Sequence, residues 1–281
     1  MTSQATNRQT ILTIGGTGKV GRRLVPRLRL AGRRVRVASR SGQPRFDWHD
    51  RSTWTPALSG VDTVYLAAAG DPDPVDDFVK QAVAAGVRRL VAQSGRQIEQ
   101  FGEGSDVFAV QHAVRNSGVE WTVLQPNNFN QNFDTPGEDM FLKPLLDGEL
   151  ALPIGETGEP FVDTEDIAEV AAAVLTEDGH AGHVYELSGP RDLSFGEAVE
   201  MISTASGRPM AYRDVPPEDF SAGLRSAGAP EALITFLDAM FAFMRAGKTS
   251  SPADGVQQVL GREPIAFETY VARAAATGVW S

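Results

Sequence analysis

The sequence contains no cysteine, which excludes disulfide bonds and thiolate metal sites. It also lacks any apolar run near the roughly 20 residues that cross a bilayer. Residues 1–9 are polar and do not resemble a secretory signal. We therefore expect a soluble, cytoplasmic protein with no membrane partner. The length of 281 residues allows one large domain or one and a half small ones.

Acidic residues are missing from the first 46 positions, although the whole chain carries a net charge of −10. The basic residues in this stretch are Arg8, Lys19, Arg22, Arg23, Arg27, Arg29, Arg33, Arg34, Arg36, Arg40 and Arg45. The negative net charge argues against nucleic acid as a partner. A local positive region would attract a polyanionic ligand, although many of these arginines could simply form a solvated helix face.

Glycines recur at three-residue spacing (Gly15, Gly18 and Gly21) between an apolar run and an amphipathic stretch over 22–31. This pattern predicts a strand, a tight turn and a helix. A backbone without Cβ atoms can approach a diphosphate, and the helix N-terminus attracts negative charge. The predicted diphosphate-binding residues are Gly15, Gly16, Thr17, Gly18, Lys19, Val20 and Gly21. The alternative is a purely structural turn.

A second strand over 34–38 ends in Ser39, Arg40 and Ser41. An acidic residue here would bind the ribose 2′-hydroxyl of NAD, but none is present. Arg40 can instead pair with a 2′-phosphate, and both serines can donate to it, so the pattern favours NADPH as cofactor. The alternative is that Arg40 only caps an exposed strand end.

Strand and helix patterns then alternate as far as residue 188, which predicts an α/β, doubly wound parallel-sheet Rossmann fold. A short segment over 45–48 takes the third-strand position, where Asp47 either reaches the adenine or forms an Asx turn. Ligands of such folds bind outside the carboxyl ends of the strands. The further predicted cofactor contacts are Asp47, Ala67, Ala68, Ala69, Gln93, Ser94, Pro126, Asn127, Asn128 and Phe129.

The alternation changes after residue 190, which predicts a smaller C-terminal substrate-binding lobe. We assign 10–133 plus 155–190 to an NADP-binding domain and 134–154 plus 191–281 to the substrate lobe. Ser194 and Glu197 form a capping box, and 231–245 is an apolar helix. The predicted substrate wall is Phe133, Phe161, Phe236 and Met240. Core packing or a dimer contact are alternatives for the 231–245 helix.

A proton donor for carbonyl reduction is missing. Short-chain dehydrogenases supply one with a Tyr-x-x-x-Lys pair, but the residues four beyond the tyrosines are Ala69, Gly189, Pro216 and Ala274. Hydride addition to an iminium ion gives a neutral amine and needs no acid. The remaining catalytic candidates are Gln93, Ser94 and His112, of which His112 could equally be a surface or core residue. We predict no metal site, because His180 and His183 lie in a loop of Ala and Gly and the sequence does not place the carboxylates that a site there would need.

Three motifs resemble the NmrA-like branch of the atypical short-chain dehydrogenase/reductases. They are 15–21 with 39–41, then 117–127, then 161–168, and the resemblance spans roughly residues 10–270. Within that branch, 38–41, 45–48 and 53–54 are similar to the fungal ergot-alkaloid reductases, agroclavine dehydrogenase and festuclavine synthase. These enzymes reduce an iminium carbon with NADPH, and the resemblance implies a similar chemistry.

The chain departs from this family pattern at several positions. Many members carry Arg where Gln125 stands, Ser where Gln93 stands, and Lys and Glu where Val107 and Gln111 stand. These departures argue against a carbonyl-reductase mechanism more than against cofactor binding.

We therefore predict an NADPH-dependent reductase of a small organic substrate, an iminium, imine or conjugated carbonyl of secondary metabolism. The alternative is a non-catalytic NADP(H) sensor, since the resemblance includes regulators that bind dinucleotide without hydride transfer. An isomerase or epimerase would need an acid/base pair that the sequence does not offer. The expected partner is the small-molecule substrate, and the chain is expected to be a monomer or homodimer.

Overall fold

The computed structural model of the protein describes residues 9–67, 70–136 and 140–281. These residues form eight strands, twelve α-helices and two 3₁₀ helices, Arg51–Thr53 and Asn130–Asn132. The strands are β1 (Thr10–Ile14), β2 (Arg34–Ala38), β3 (Thr63–Leu66), β4 (Arg89–Gln93), β5 (Glu120–Pro126), β6 (Glu149–Leu152), β7 (His183–Leu187) and β8 (Ala211–Asp214). The helices are α1 (Gly21–Leu30), α2 (Trp54–Leu58), α3 (Val75–Ala84), α4 (Ile98–Phe101), α5 (Asp106–Arg115), α6 (Leu142–Leu146), α7 (Thr164–Thr176), α8 (Phe195–Ser206), α9 (Pro217–Ser226), α10 (Glu231–Arg245), α11 (Gly255–Leu260) and α12 (Phe267–Ala275).

Six strands form a parallel sheet in the order β2-β1-β3-β4-β5-β7, which confirms the predicted doubly wound Rossmann fold. The strand order reverses at β1, because β2 lies on one side of it and β3 on the other. Ile14 at the end of β1 is aligned with Ala38 on β2 and with Leu66 on β3. The carboxyl ends of these three strands are therefore level at the position where such folds bind ligands.

Both faces of the sheet are buried, as expected for a parallel sheet between helices. Val64 and Leu66 of β3 pack into a hydrophobic cluster with Phe78 of α3 and Val110 of α5. Because side chains alternate along a strand, Tyr65 points to the opposite face. Tyr65 is nevertheless 1% exposed, so this face is covered too.

The segment over 45–48 does not form a third strand. Its only ladder contact in the described residues is a single bridge between Ser39 and Arg45. Asp47 instead begins a turn, since its Oδ1 accepts from the His49 amide and its carbonyl oxygen accepts from the Trp54 indole N–H. A side chain that bonds its own following backbone competes with the sheet ladder.

The chain divides into two compact units, each with its own core. The first comprises the described parts of 1–95, 103–125 and 167–185, and the second comprises those of 96–102, 126–166 and 186–281. The core of the second unit is rich in phenylalanine, with Phe133, Phe161 and Phe195 in edge contact. β6 and β8 form a separate parallel pair in this unit. Which ligand each domain binds remains a prediction.

The predicted helices of the second unit are present. Ser194 and Glu197 form the predicted capping box at the start of α8, where each side chain accepts from the other's backbone N–H. α10 spans Glu231–Arg245, as its apolar periodicity predicts. No helix in the described ranges has the length and apolar composition needed to cross a membrane.

Candidate functional site

The glycine turn joins β1 to α1 in a conformation that needs glycine. Gly15 has a φ of +81°, and a Cβ at this position would lie 2.7 Å from the Cβ of Ala67. A Cβ at Gly21 would collide with the carbonyl oxygen of Gly15. The helix start therefore packs directly on the end of the strand, which brings the backbone of the turn close to any ligand above it.

The N-terminus of α1 suits an anion. No side chain caps its first turn, and that turn contains no acidic residue. Thr17 and Gly18 are exposed beside it. The first N–H groups of a helix and its macrodipole favour negative charge, so the predicted residues 15–21 fit a diphosphate.

Ser39, Arg40 and Ser41 follow the carboxyl end of β2, level with the glycine turn. Arg40 is exposed and has no ion pair or hydrogen bond within the described part of the chain. Arg45, by contrast, pairs with Asp47 at 3.2 Å and Asp50 at 3.3 Å. Arg40 is thus the cation near the end of β2 that remains available to a 2′-phosphate.

Two other predicted adenosine contacts differ in their surroundings. Asp47 directs its carboxylate to the His49 amide and to Arg45, as the alternative of an Asx turn predicts. Ala67 lies beside Gly15, and its N–H donates to the Ile14 carbonyl at 3.3 Å. Ala68 and Ala69 lie outside the described residues.

Gln93 and Ser94 follow each other at the end of β4. The Tyr65 hydroxyl donates to Gln93 Oε1, and burial raises the pKa of the Tyr65 phenol well above its ordinary value. No protein atom in the described ranges accepts from Gln93 Nε2. The phenol therefore orients the Gln93 carboxamide and leaves its N–H₂ group free to donate to a ligand.

Ser94 has no base beside it among the residues that the structure describes. Its Oγ lies 3.5 Å from the Val107 carbonyl oxygen, and its N–H donates to the Leu124 carbonyl at 2.8 Å. A serine hydroxyl without a histidine or lysine partner can donate a hydrogen bond but is not activated as an acid or nucleophile.

His112 is not brought to Ser94. It is exposed on α5 and stacks on Phe108, with ring centroids 5.8 Å apart. Val107 is the α5 residue next to Ser94, and five helical residues turn His112 roughly 140° away from it. Of the three predicted catalytic residues, Gln93 and Ser94 therefore lie together at the end of β4, whereas His112 lies apart from them.

Two positions at which the chain departs from the family pattern are in contact. Gln125 Nε2 donates to Gln111 Oε1 at 2.8 Å, and both side chains are buried. The sequence shows each departure separately, but only the fold pairs β5 with α5 at this point.

The segment after β5 lies in the second unit and is held by protein groups. Asn127 Nδ2 donates to Glu159 Oε1 at 2.6 Å and to the Thr249 carbonyl at 3.1 Å. Its Oδ1 accepts from Arg96 Nη1 at 3.1 Å. The Asn127 carboxamide is fully used within this network, whereas Asn128 and Phe129 are partly exposed and Pro126 is buried.

Glu159 is a buried carboxylate of this network that no sequence pattern singles out. It is 2% exposed, accepts from Asn127 and from the Thr249 hydroxyl at 2.9 Å, and has no ion pair in the described residues. Burial raises the pKa of its carboxyl. Arg96 directs its Nε to Glu186 at 2.8 Å instead. No sequence pattern marks these partners, because Glu159 and Thr249 are 90 residues apart.

The predicted substrate wall divides into two kinds of residue. Phe133 and Phe161 are 0% and 2% exposed, so they offer a ligand no surface here. Phe236 and Met240 on α10 are partly buried against the same core. The described residues contain no group of three His, Cys, Asp or Glu side chains that could hold a metal ion.

Comparison with known proteins supplies the context. A model of the NmrA-like family matches residues 7–271. The uncharacterized oxidoreductase YesF of Bacillus subtilis (strain 168) is 34% identical, over 96% of this chain and 98% of the relative. An NAD(P)H azoreductase of Xenophilus azovorans is 30% identical, over 95% and 99%. Festuclavine synthase I of Penicillium roqueforti (strain FM164) is 29% identical, over 93% and 96%.

Among solved structures, the NADPH-dependent quinone oxidoreductase QOR2 of Escherichia coli, complexed with NADPH, superposes with a TM-score of 0.76. It is 21% identical over 94% of this chain and 99% of that chain, which shows a shared fold. The names of the relatives confirm the predicted oxidoreductase class and agree with the predicted cofactor.

Proposed function

Since the chain belongs to the NmrA-like family, we propose that it is an NADPH-dependent reductase of a small organic acceptor. The backbone of residues 15–21 holds the diphosphate, and Ser39, Arg40 and Ser41 hold the 2′-phosphate. NADPH, when bound, supplies a hydride. One observation supports this proposal above the others. The glycine turn leads into a helix whose first turn has no side-chain cap, and it lies level with Arg40, which has no ion pair in the described residues.

We propose that the acceptor is an iminium, an imine or a conjugated carbonyl. Reduction of a simple ketone leaves an alkoxide that needs a nearby acid, whereas an iminium ion, or an imine that solvent has already protonated, takes up hydride to give a neutral amine. A conjugated carbonyl gives a delocalised enolate, which solvent can protonate. Gln93 and Ser94 at the end of β4 are neutral and are not strong acids. Tyr65 is buried, and its hydroxyl donates a hydrogen bond to Gln93 rather than to a ligand. The azoreductase relative acts, by its name, on azo compounds, so an acceptor other than a carbonyl has a parallel among the relatives.

The roles follow from the surroundings of each residue. Gln93, oriented by Tyr65, donates a hydrogen bond to cofactor or substrate, and Ser94 offers a second donor. Phe236 and Met240 contribute apolar surface in the second unit. His112 is not needed, because it faces away from Ser94.

The test is consumption of NADPH, followed by its near-ultraviolet absorbance, with a panel of acceptors. The panel contains N-methyl-dihydroisoquinolinium, a neutral cyclic imine, a conjugated enone, a quinone and a saturated ketone. We expect turnover with the C=N and conjugated acceptors and none with the saturated ketone. Preferred turnover of the saturated ketone would contradict the acceptor class. Tight binding of NADPH and NADP⁺ without turnover of any acceptor would indicate the sensor function instead.

A further inference from the structure

A cavity of about 280 Å³ lies in the second unit between α9, α10 and the segment after β6. Its walls include Pro153, Pro217, Phe241 and Ala242. A space of this size is slightly smaller than the sites that usually bind drug-sized molecules, which begin at roughly 300 Å³, and it suits a compound of one or two rings. It faces a different stripe of α10 from Phe236 and Met240.

The two charged residues that line the cavity, Asp238 and Arg245, lie on the same face of α10 as Phe241 and Ala242. Asp238, Phe241, Ala242 and Arg245 follow the i, i+3, i+4, i+7 spacing that puts side chains on one side of a helix. Asp238 and Arg245 therefore stand at opposite ends of the apolar wall, roughly 10 Å apart along the axis.

The two arginines near this cavity already have partners. Arg245 Nη2 pairs with Asp214 at 2.7 Å, and its Nε donates to the Pro153 carbonyl at 2.9 Å. Arg225 pairs with Glu231 at 2.7 Å. Glu231, and to a smaller extent the charge of Asp238, raise the pKa of the Arg225 guanidinium. The positive charges of both arginines are thus offset by other carboxylates.

Asp238 lacks such a partner. Ser221 Oγ lies 2.6 Å from its Oδ1, but no ion pair in the described ranges includes Asp238. A half-buried carboxylate with only a hydroxyl beside it, at the edge of an apolar cavity, attracts a cation that also has apolar surface to bury.

We propose that this cavity binds an apolar organic cation, with its cationic nitrogen at Asp238 and its ring or rings against Pro217, Ala242 and Ala246, the apolar lining residues that are exposed. This site lies on a different stripe of α10 from Phe236 and Met240, so it is separate from the apolar surface that the proposed function assigns to the substrate. The site itself requires only the charge and the apolar surface.

The first experiment measures binding by calorimetry in the absence of NADPH, with N-methyl-dihydroisoquinolinium and its uncharged isostere 3-methyl-1,2-dihydronaphthalene as probes. Asp238→Asn keeps the size of the side chain and its contact with Ser221. We expect this variant to bind the cation about tenfold more weakly and the isostere unchanged. The difference should shrink with added salt, because a partly exposed charge is screened.

Two further variants separate the cavity from the general charge of the surface around it. Asp219→Asn removes the same charge from the exposed side of α9 and should leave both affinities unchanged. Ala242→Leu, at an exposed helical position, should fill the cavity and weaken both probes. Equal cation affinity in Asp238→Asn and the unmodified protein, or an equal loss in Asp219→Asn, would overturn the site.

The failure of this site and the failure of the proposed function can be told apart. If the acceptor panel is reduced but Asp238→Asn leaves cation binding unchanged, the cavity assignment is wrong and the reductase assignment stands. If the cation binds through Asp238 and no acceptor is reduced, the site stands and the reductase assignment is wrong.

Discussion

Arg40 and Arg45 lie five positions apart after β2, yet only Arg45 has carboxylate partners. An arginine that forms no ion pair in the described protein has its whole guanidinium fork available for a phosphate. This contrast makes Arg40 the residue that should distinguish NADPH from NADH.

Arg40→Ala is expected to weaken NADPH binding by about ten- to hundredfold, the equivalent of one or two hydrogen bonds to a charged group. NADH binding should change little, because NADH has no 2′-phosphate. Calorimetric titration with each cofactor measures both. Arg34→Ala, which removes the same charge at the amino end of β2, is the matched control. A similar loss in both variants would mean that only overall charge attracts the cofactor.

Tyr65 illustrates a residue that acts through another. Replacing it by phenylalanine removes the hydroxyl that holds Gln93 Oε1 and lets the carboxamide rotate. With the acceptor that the panel identifies, we expect kcat/KM of Tyr65→Phe to fall about two- to tenfold. Tyr185→Phe removes another phenol of the same unit, bonded to His180 at 2.9 Å, and should leave kcat/KM unchanged. If kcat/KM of Tyr65→Phe were unchanged, the proposal that Tyr65 orients Gln93 for catalysis would be wrong.

At the scale of elements, β5 and α5 meet through Gln125 and Gln111, a buried pair of neutral amides. The family pattern suggests that an Arg and a Glu could occupy these two positions. Gln125→Arg alone would bury a cation without a carboxylate, which should cost about 3 to 5 kcal/mol in the free energy of unfolding. Adding Gln111→Glu should recover part of this loss.

The measurement is a double-mutant cycle by urea unfolding. Gln111→Glu alone should also destabilise the protein, and the double variant should be more stable than the sum of the single changes predicts. Strict additivity would show that the two positions do not interact as a pair.

Local sequence patterns predict elements in both units. The β1-turn-α1 segment is marked by its glycines, and α10 by its apolar periodicity. The same patterns miss helix α9, because Pro216 and Pro217 indicate a break. Pro217 in fact starts α9, where a missing N–H costs nothing because the first helical N–H groups have no intrahelical acceptor.

The candidate site is predictable only where its contacts are local. Residues 15–21 and 39–41 are adjacent in sequence to the strands that place them. Tyr65 and Gln93 are 28 positions apart, and their contact depends on the β3–β4 register, which no local pattern specifies. The Gly-, Ser- and Pro-containing composition of 247–255 predicts a mobile loop, yet Thr249 is buried and bonded to Glu159.

At the scale of the whole chain, buried carboxylates link segments of the second unit that are far apart in sequence. Asp163 binds Arg273, and Asp166 pairs with Arg262 at 2.8 Å. Glu159 differs from both, since its hydrogen bonds come from neutral donors. The nearby cation, Arg96, directs its bonds to Asn127, Glu186 and backbone carbonyls.

Glu159→Gln should therefore change how the stability of the folded chain depends on pH. Burial raises the folded-state pKa of Glu159 above its ordinary value of 4.5, so this group's contribution is fully present below that pH and is lost as pH rises through the folded pKa. The glutamine variant should be about 1 to 2 kcal/mol more stable near neutral pH and should approach the unmodified protein in acid. Urea unfolding across pH measures this. Glu156→Gln, an exposed site in the same segment, should show no such trend, and a pH-independent difference for Glu159→Gln would mean that its carboxyl titrates normally.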